Sequence, residues 1–410
     1  MKILIVNHFE TSGGAAKAAK RLHRSLLREG INSNLLVSEK NTDDYTVFAP
    51  ETLFMRIIVK IKAFFDQFLL RNYNVQSYFS PSIIPSFGII DLINAQNADI
   101  VHLHWVQAGM LSINDFKKIK SPIVWTLHDN WAFTGGCHVM WECEKYKDRC
   151  SECPRLQSNS KNDISRKIFK RKEIIYPQIS NITIIGLSKW LANCAKHSTL
   201  LKDKNIINLP NPIDTNIFKP FDKQSARELW NLPKDKRLIL FGAMSATSSI
   251  NKGFKQLSEA INNLENQNIE FVVFGSSKPK EDDGFKFKTH YLGYINDDVS
   301  LVSIYNACDV MVVPSLQENL SNAIMESLSC GTPVVAFDIG GNSDMITHKE
   351  NGYLAKAYNA TELKKGIEWV LNFSKYENIS KQARRMVVDK FDNKIVAKKY
   401  ISMYHNILSK

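Results

Sequence analysis

The chain has no run of about 18 uncharged apolar residues, the length a helix needs to cross a bilayer, so no membrane-spanning helix is expected. It has no repeat of fixed period and no low-complexity tract, which argues against a solenoid or a disordered array. The Gly-x-Gly-x-x-Gly dinucleotide fingerprint is missing. Recognised nucleic-acid motifs are missing too, and the lysines and arginines are spread out rather than clustered. The opening Met1-Lys-Ile-Leu-Ile-Val-Asn7 lacks the small-residue cleavage site of a signal peptide. A cytoplasmic location is therefore expected, with the inner face of the plasma membrane left open. Seven cysteines, an odd number in a long chain, argue against a disulfide framework.

What is present is large and basic. A chain of 410 residues exceeds one ordinary core, so two domains are expected. The formal charge of +12 points to anionic partners: nucleotide diphosphates, an acidic membrane surface or nucleic acid. Continuous apolar runs read as strands covered on both faces: Lys2–Asn7, Ser33–Val37, Ile100–His104, Ile123–Leu127 and Ile182–Gly186, then Arg237–Gly242, Phe271–Gly275, His290–Gly293, Val310–Pro314 and Pro333–Phe337. Helical patterns lie between them, as in Ala15–Glu29. The fold class is α/β, with two doubly wound parallel sheets. The expected limits are a first domain over 1–209, a proline-rich linker over 210–220 and a second domain over 221–385. A C-terminal helix over 386–410 packs back on the first domain in this reading. Met55–Arg71 mixes basic and bulky apolar residues at helical spacing. It reads either as a helix packed on its own domain or as one lying on an anionic bilayer, and exposure of Phe64 and Phe65 favours the bilayer.

The chemistry-bearing residues fall at strand ends. Glu318 and Glu326, in Glu318-Asn-Leu-Ser-Asn-Ala-Ile-Met-Glu326, follow a buried strand and enter a helix. Both carboxylates can then face a crevice at the sheet's carboxyl edge, where open α/β sheets bind ligands, and the helix start suits a phosphate. Carboxylates for sugar hydroxyls beside amides for phosphate suggest a nucleotide-sugar site. Lys252, delivered by a small-residue loop just before a helix, can neutralise a leaving diphosphate. Gly13 and Gly14 allow close backbone approach after the first strand, and Gly340 and Gly341 do the same after a later one. His128, followed by Asp129 and Asn130, reads as functional, whereas His102 reads as structural. Asn351-Gly352-Tyr353-Leu354 reads as a turn. Cys137, Cys143, Cys150 and Cys153 lie close together, only the last pair with zinc-knuckle spacing. A structural zinc, free thiols or local disulfides stay open, while a catalytic zinc is disfavoured because four thiolates leave no open position.

Taken together, Gly13-Gly14, His128, Lys252-Gly253, Leu292-Gly293-Tyr294, Glu318…Glu326, Gly340-Gly341 and Asn351-Gly352 resemble the family 4 retaining glycosyltransferases of GT-B architecture. The stretch from His128 through Thr134-Gly-Gly-Cys-His138 to Cys153-Pro154 resembles a subgroup building bacterial exopolysaccharide and O-antigen, of the colanic-acid type. The resemblance implies two Rossmann-like domains facing each other across a cleft. It implies that Glu326 holds the donor ribose and that Glu318 steadies the donor sugar. The amides of Asn319 and Leu320 support sugar or phosphate, Lys252 with Gly13 and Gly14 grips the diphosphate, His128 touches the sugar, and Tyr294 lies near the base. The donor would be a UDP- or GDP-sugar, with no catalytic cofactor, and the acceptor a glycan or lipid-linked glycan. The family's usual arginine is replaced in the stretch of Ala243 and Met244. Three other readings remain: a nucleotide-sugar epimerase of the same fold, a degenerate partner subunit, and a nucleic-acid binder, which the missing motifs disfavour.

Overall fold

The computed structural model describes residues 1–242, 249–265, 268–277, 284–295 and 297–409. The chain divides into two compact units, Met1–Asn211 with Val396–Lys410, and Pro212–Ile395.

In the first unit seven strands form one sheet: β1 (Lys2–Val6), β2 (Asn32–Leu36), β3 (Val47–Phe48), β4 (Ile100–Leu103), β5 (Ile123–Leu127), β6 (Ile182–Gly186) and β7 (Asn205–Asn208). Their order is β3-β2-β1-β4-β5-β6-β7, with every pairing parallel. Alternation along β1 explains why the strand is apolar from Ile3 to Val6. Leu4 and Val6 enter one core with Leu103, Trp125 and Ile184, while Ile3 and Ile5 enter the other with Ile100, Val124 and Ile185. The second core is closed by the helix Gly14–Arg28 and by Val396, Tyr400, Met403 and Tyr404 of the last helix, Asn393–Leu408.

In the second unit six parallel strands follow: β8 (Arg237–Gly242), β9 (Ile269–Phe274), β10 (Thr289–Tyr291), β11 (Val310–Val313), β12 (Val334–Phe337) and β13 (Gly352–Ala355). Their order is β10-β9-β8-β11-β12-β13. The strand order reverses between β8 and β11, so the switch-point crevice opens at their carboxyl ends. At the opposite end Asp309 fixes the sheet. It pairs with buried Arg227 at 2.9 Å and with Lys223 at 2.9 Å, and accepts the Leu238 N–H at 2.8 Å.

One reading from the sequence changes. Residues 352–355 are not part of a turn but form the edge strand β13, paired with β12. A Cβ at Gly352 would stand 2.4 Å from the Val334 carbonyl oxygen, so the glycine there marks close strand contact. The proline-rich stretch is held by packing and hydrogen bonds. Ile213 and Phe218 are fully buried, Ile213 donates its N–H to Phe391 O at 2.9 Å, and Arg384 donates to Thr215 O at 2.7 Å.

Candidate active site

The geometry of the second unit's switch point is set by two glycines. β8 leads out through Gly242, and Ala243 and Met244, the positions at which an arginine is expected, lie outside the described residues. The chain is described again from Ser249 and delivers Lys252 in the tight turn Ile250–Lys252. Gly253 follows with φ +67, and a Cβ there would stand 1.9 Å from Pro314 O. Only a glycine can cross the end of β11 so closely. The crossing is stitched by Leu316 N–H donating to Asn251 O at 2.8 Å and Asn251 Nδ2 donating to Gln317 O at 2.9 Å. From the far side Gly340, with φ +52, passes so close that a Cβ would lie 1.8 Å from Glu318 O, and Gly341 N–H donates to that oxygen at 3.2 Å.

The ends of β8, β11 and β12 thus converge on one carboxylate. Lys252 Nζ lies 3.5 Å from Glu318 Oε2, and Ser315 Oγ donates to the same oxygen at 3.3 Å. Both charged side chains are partly open to solvent. Asn319 and Leu320 lie between Glu318 and the cap of the helix Asn322–Ser329, where Ser321 Oγ accepts the Ile324 N–H at 3.4 Å. A positive dipole end is therefore beside a lysine and a carboxylate.

Gly340→Ala is expected to push the Glu318 loop away. The cost is ~1–3 kcal/mol for a non-glycine held at that φ, read as a lower melting temperature.

Glu326 lies in the interior of the second unit. Its residue is only 3% exposed, and Tyr305 OH donates to Oε2 at 2.8 Å. The second glutamate of the motif lies on the helix, whose inward face carries it toward the helix Asp298–Ala307. Tyr294 stands at the carboxyl end of β10, 62% exposed, beyond a turn in which Gly275 N–H donates to Gly293 O at 2.7 Å.

In the first unit, the carboxyl ends of β1, β4 and β5 gather histidines. Gly13 caps the helix that Gly14 opens, with no heavy atom within 4 Å of where its Cβ would be. His128 Nε2 lies 2.8 Å from His104 Nδ1. His102 is fully buried between Tyr404 OH and Thr126 Oγ1, each at 2.7 Å. Burial pushes His128 down to about 4 and His102 down to about 3, so both rings are neutral at pH 7.

Several contacts here were not visible in the sequence. Asp129 accepts from Trp105 Nε1 at 3.1 Å and lies 2.7 Å from His138 Nδ1, whose other nitrogen is 2.8 Å from Ser80 Oγ. Phe9 and Trp105 stack at 5.7 Å, with Tyr78 leaning on Trp105 at 5.9 Å. Alternation of His102 and His104 along one strand was the available signal; the aromatic wall joins separate loops and left none.

Cys137, Cys143, Cys150 and Cys153 all line one cavity of about 10 Å³, near the least room a water occupies. All four are free thiols. Gly135 N–H donates to Cys150 Sγ at 3.2 Å, and burial pushes the Cys137 thiol up to about 12. Among the described residues no three His, Cys, Asp or Glu side chains are placed to hold a metal ion.

Residues 222–386, which carry the Lys252–Glu318 site, match the family Glycosyl transferases group 1. An uncharacterized glycosyltransferase of Methanocaldococcus jannaschii is 29% identical over 213 residues, 50% of this chain and 54% of that protein. The matched stretch thus spans about half of that relative. An Escherichia coli glycosyl transferase, WcaC, named provisionally for colanic acid biosynthesis, is 25% identical over 82% of this chain and 83% of that one. Among solved structures, Anabaena HepE in complex with UDP-glucose aligns over 99% of this chain and 100% of that chain, with TM-score 0.68 and 15% identity. That likeness shows the fold, two parallel-sheet Rossmann-like domains of the GT-B class.

Proposed function

We propose, for a chain whose residues 222–386 match the group 1 glycosyl transferases, that it moves a sugar from a UDP- or GDP-sugar to a glycan or lipid-linked glycan in cell-surface polysaccharide synthesis. The observation that carries this reading is the meeting of Lys252 and Glu318, 3.5 Å apart, at the switch point of the second unit's sheet. A lysine and a helix start are suited to a departing diphosphate, and a carboxylate to a sugar carbon gaining positive charge. The relatives' names support transfer chemistry.

The reaction is proposed to retain configuration. The acceptor hydroxyl attacks the anomeric carbon from the face the diphosphate leaves, the carbon–oxygen bond to phosphate breaks, and the hydroxyl proton passes to the departing phosphate oxygen. Catalysis is then positioning and charge stabilisation. Lys252 supplies the cation, so the rate is expected to be unchanged by EDTA. Glu326, linked to Tyr305, is assigned to the ribose hydroxyls, Tyr294 to the base, and Asn319, Leu320, Gly13 and Gly14 to backbone contacts with sugar and phosphate. His128, neutral, is assigned to a sugar hydroxyl. For the acceptor we assign the wall of Phe9, Trp105 and Tyr78, whose flat faces suit the C–H face of a pyranose. The thiol cluster enters as a structural element. Stoichiometric zinc by elemental analysis, lost in Cys150→Ser, is the outcome that would make it a metal site.

The test is mass spectrometry of products after incubation with a panel of nucleotide sugars, beside calorimetry with UDP and GDP. Heat from one nucleotide, with hydrolysis or transfer of its sugar, is expected. No heat and no turnover with any donor sinks the reading; interconversion of free donor sugars without transfer would make the chain an epimerase.

A further inference from the structure

The helix Leu53–Phe68 is polar on the inside and apolar on the outside. Its inward stripe carries Val59, Lys62 and Asp66, all buried. Lys62 Nζ donates to Gly109 O at 2.7 Å, and Asp66 Oδ2 accepts the Ser82 N–H at 3.0 Å. Burial lowers Lys62 to about 8 and raises Asp66 to about 6, the mark of charges withdrawn from water. The outward face presents Phe54, Ile57, Ile61, Phe64, Phe65 and Phe68, with Phe54 62% and Phe64 65% exposed. Phe64 meets the rings of Phe65 and Phe68, at 5.8 and 6.5 Å, on its own helix.

Singly exposed apolar residues are ordinary on a protein surface; a contiguous face of them is not. A helix that spends its inward stripe on charges and turns aromatics outward is arranged for an apolar outer medium. The charges around that face say which one. The helix's single acid, Asp66, points inward. Lys60 is exposed and reaches Glu39 at 3.4 Å, half-buried Arg56 lies at the helix start, and the Arg71 guanidinium sits 4.1 Å over the Phe68 ring. Cations beside aromatics suit phosphate headgroups above acyl chains. A second copy of the same face would bring like charges together. At 16 residues the helix is also too short to cross a bilayer, and no helix among the described residues is long and apolar enough to do so.

We infer that this face docks the first unit on an anionic lipid surface, with Phe64, Phe65 and Phe68 entering the acyl boundary and Arg56, Lys60 and Arg71 meeting the headgroup phosphates. The inference stands apart from the transfer reading, since it uses none of that site's residues.

Its test is co-sedimentation of the full chain with vesicles of phosphatidylglycerol and phosphatidylcholine in equal parts. The wild type is expected to pellet with them, and far less with phosphatidylcholine alone. Phe64→Ser/Phe65→Ser/Phe68→Ser should lower partitioning at least about ten-fold while keeping its melting temperature, because these side chains are exposed. Wild type left in the supernatant overturns the proposal, as does a triple variant that pellets equally, which would reduce the binding to diffuse charge. A concentration-dependent dimer that the triple variant abolishes, without vesicle binding, overturns it in favour of self-association.

Discussion

Lys252→Ala and Glu318→Gln should each lower turnover of the accepted nucleotide sugar by about 10²–10³, the usual loss when one preorganised charge-stabilising group is removed. Neither change should move the melting temperature, because both side chains are partly solvated and neither leaves a buried charge behind. Glu318→Gln keeps the side chain's size and an oxygen for Ser315, so it removes charge and little else. The double variant gives the sharper result. If the two groups serve different ends of the breaking bond, phosphate for Lys252 and sugar carbon for Glu318, their losses multiply. If they matter only because they hold each other, the second change adds almost nothing. Lys252→Arg should recover part of the rate as a cation, with the remaining deficit in kcat rather than KM. Rates within about two-fold of wild type in both single variants would remove these residues from the chemistry.

The parts of this site differed in how far the sequence exposed them. Ile182–Gly186 was readable as a strand because a strand covered on both faces has no polar alternation to interrupt it. β13 was not, since it begins Gly-Tyr after an asparagine and local signals there favour a turn; only the packing of Gly352 against Val334 makes it a strand. Lys252 and Glu318 were each visible at a strand end. Their meeting was not, because it depends on Gly253 crossing Pro314 and Gly340 crossing Glu318, two backbone approaches between segments distant in sequence. Helical spacing was visible over Met55–Arg71, the stretch that holds Lys62 and Asp66. It could not show that these two side chains face inward, since that follows from hydrogen-bond partners at Gly109 and Ser82. The expectation for Glu326 placed it correctly on the helix but did not foresee Tyr305 taking its carboxylate.

The first unit should lose stability steeply as pH falls from 6.5 toward 4. Burial lowers His8, His23 and His128 to about 4 and His102 to about 3, and carries His104 well below its ordinary value. In the folded chain these rings stay neutral through that window, whereas in the unfolded chain they take up protons near 6.5. The unfolded state therefore binds more protons, so stability rises with pH across the window, is fully present above 6.5 and is lost below it. A ring carried from its ordinary 6.5 down to about 4, as His8, His23 and His128 are, corresponds to ~3 kcal/mol once it is fully titrated, large beside the ~5–15 kcal/mol of a whole domain. The nearby carboxylates, Asp44 by His23 and Asp129 by His128, oppose the lowering but do not reverse it. Urea unfolding followed by tryptophan emission, to which buried Trp125 and Trp131 of this unit contribute, should show the midpoint dropping between pH 7 and pH 5. His102→Gln offers hydrogen bonds to Tyr404 and Thr126 without a titrating ring, so it should flatten that slope by about one proton. A slope unchanged in His102→Gln would mean that His102 takes up its proton alike in the folded and the unfolded chain, and a midpoint flat across the window would mean the same of the whole cluster.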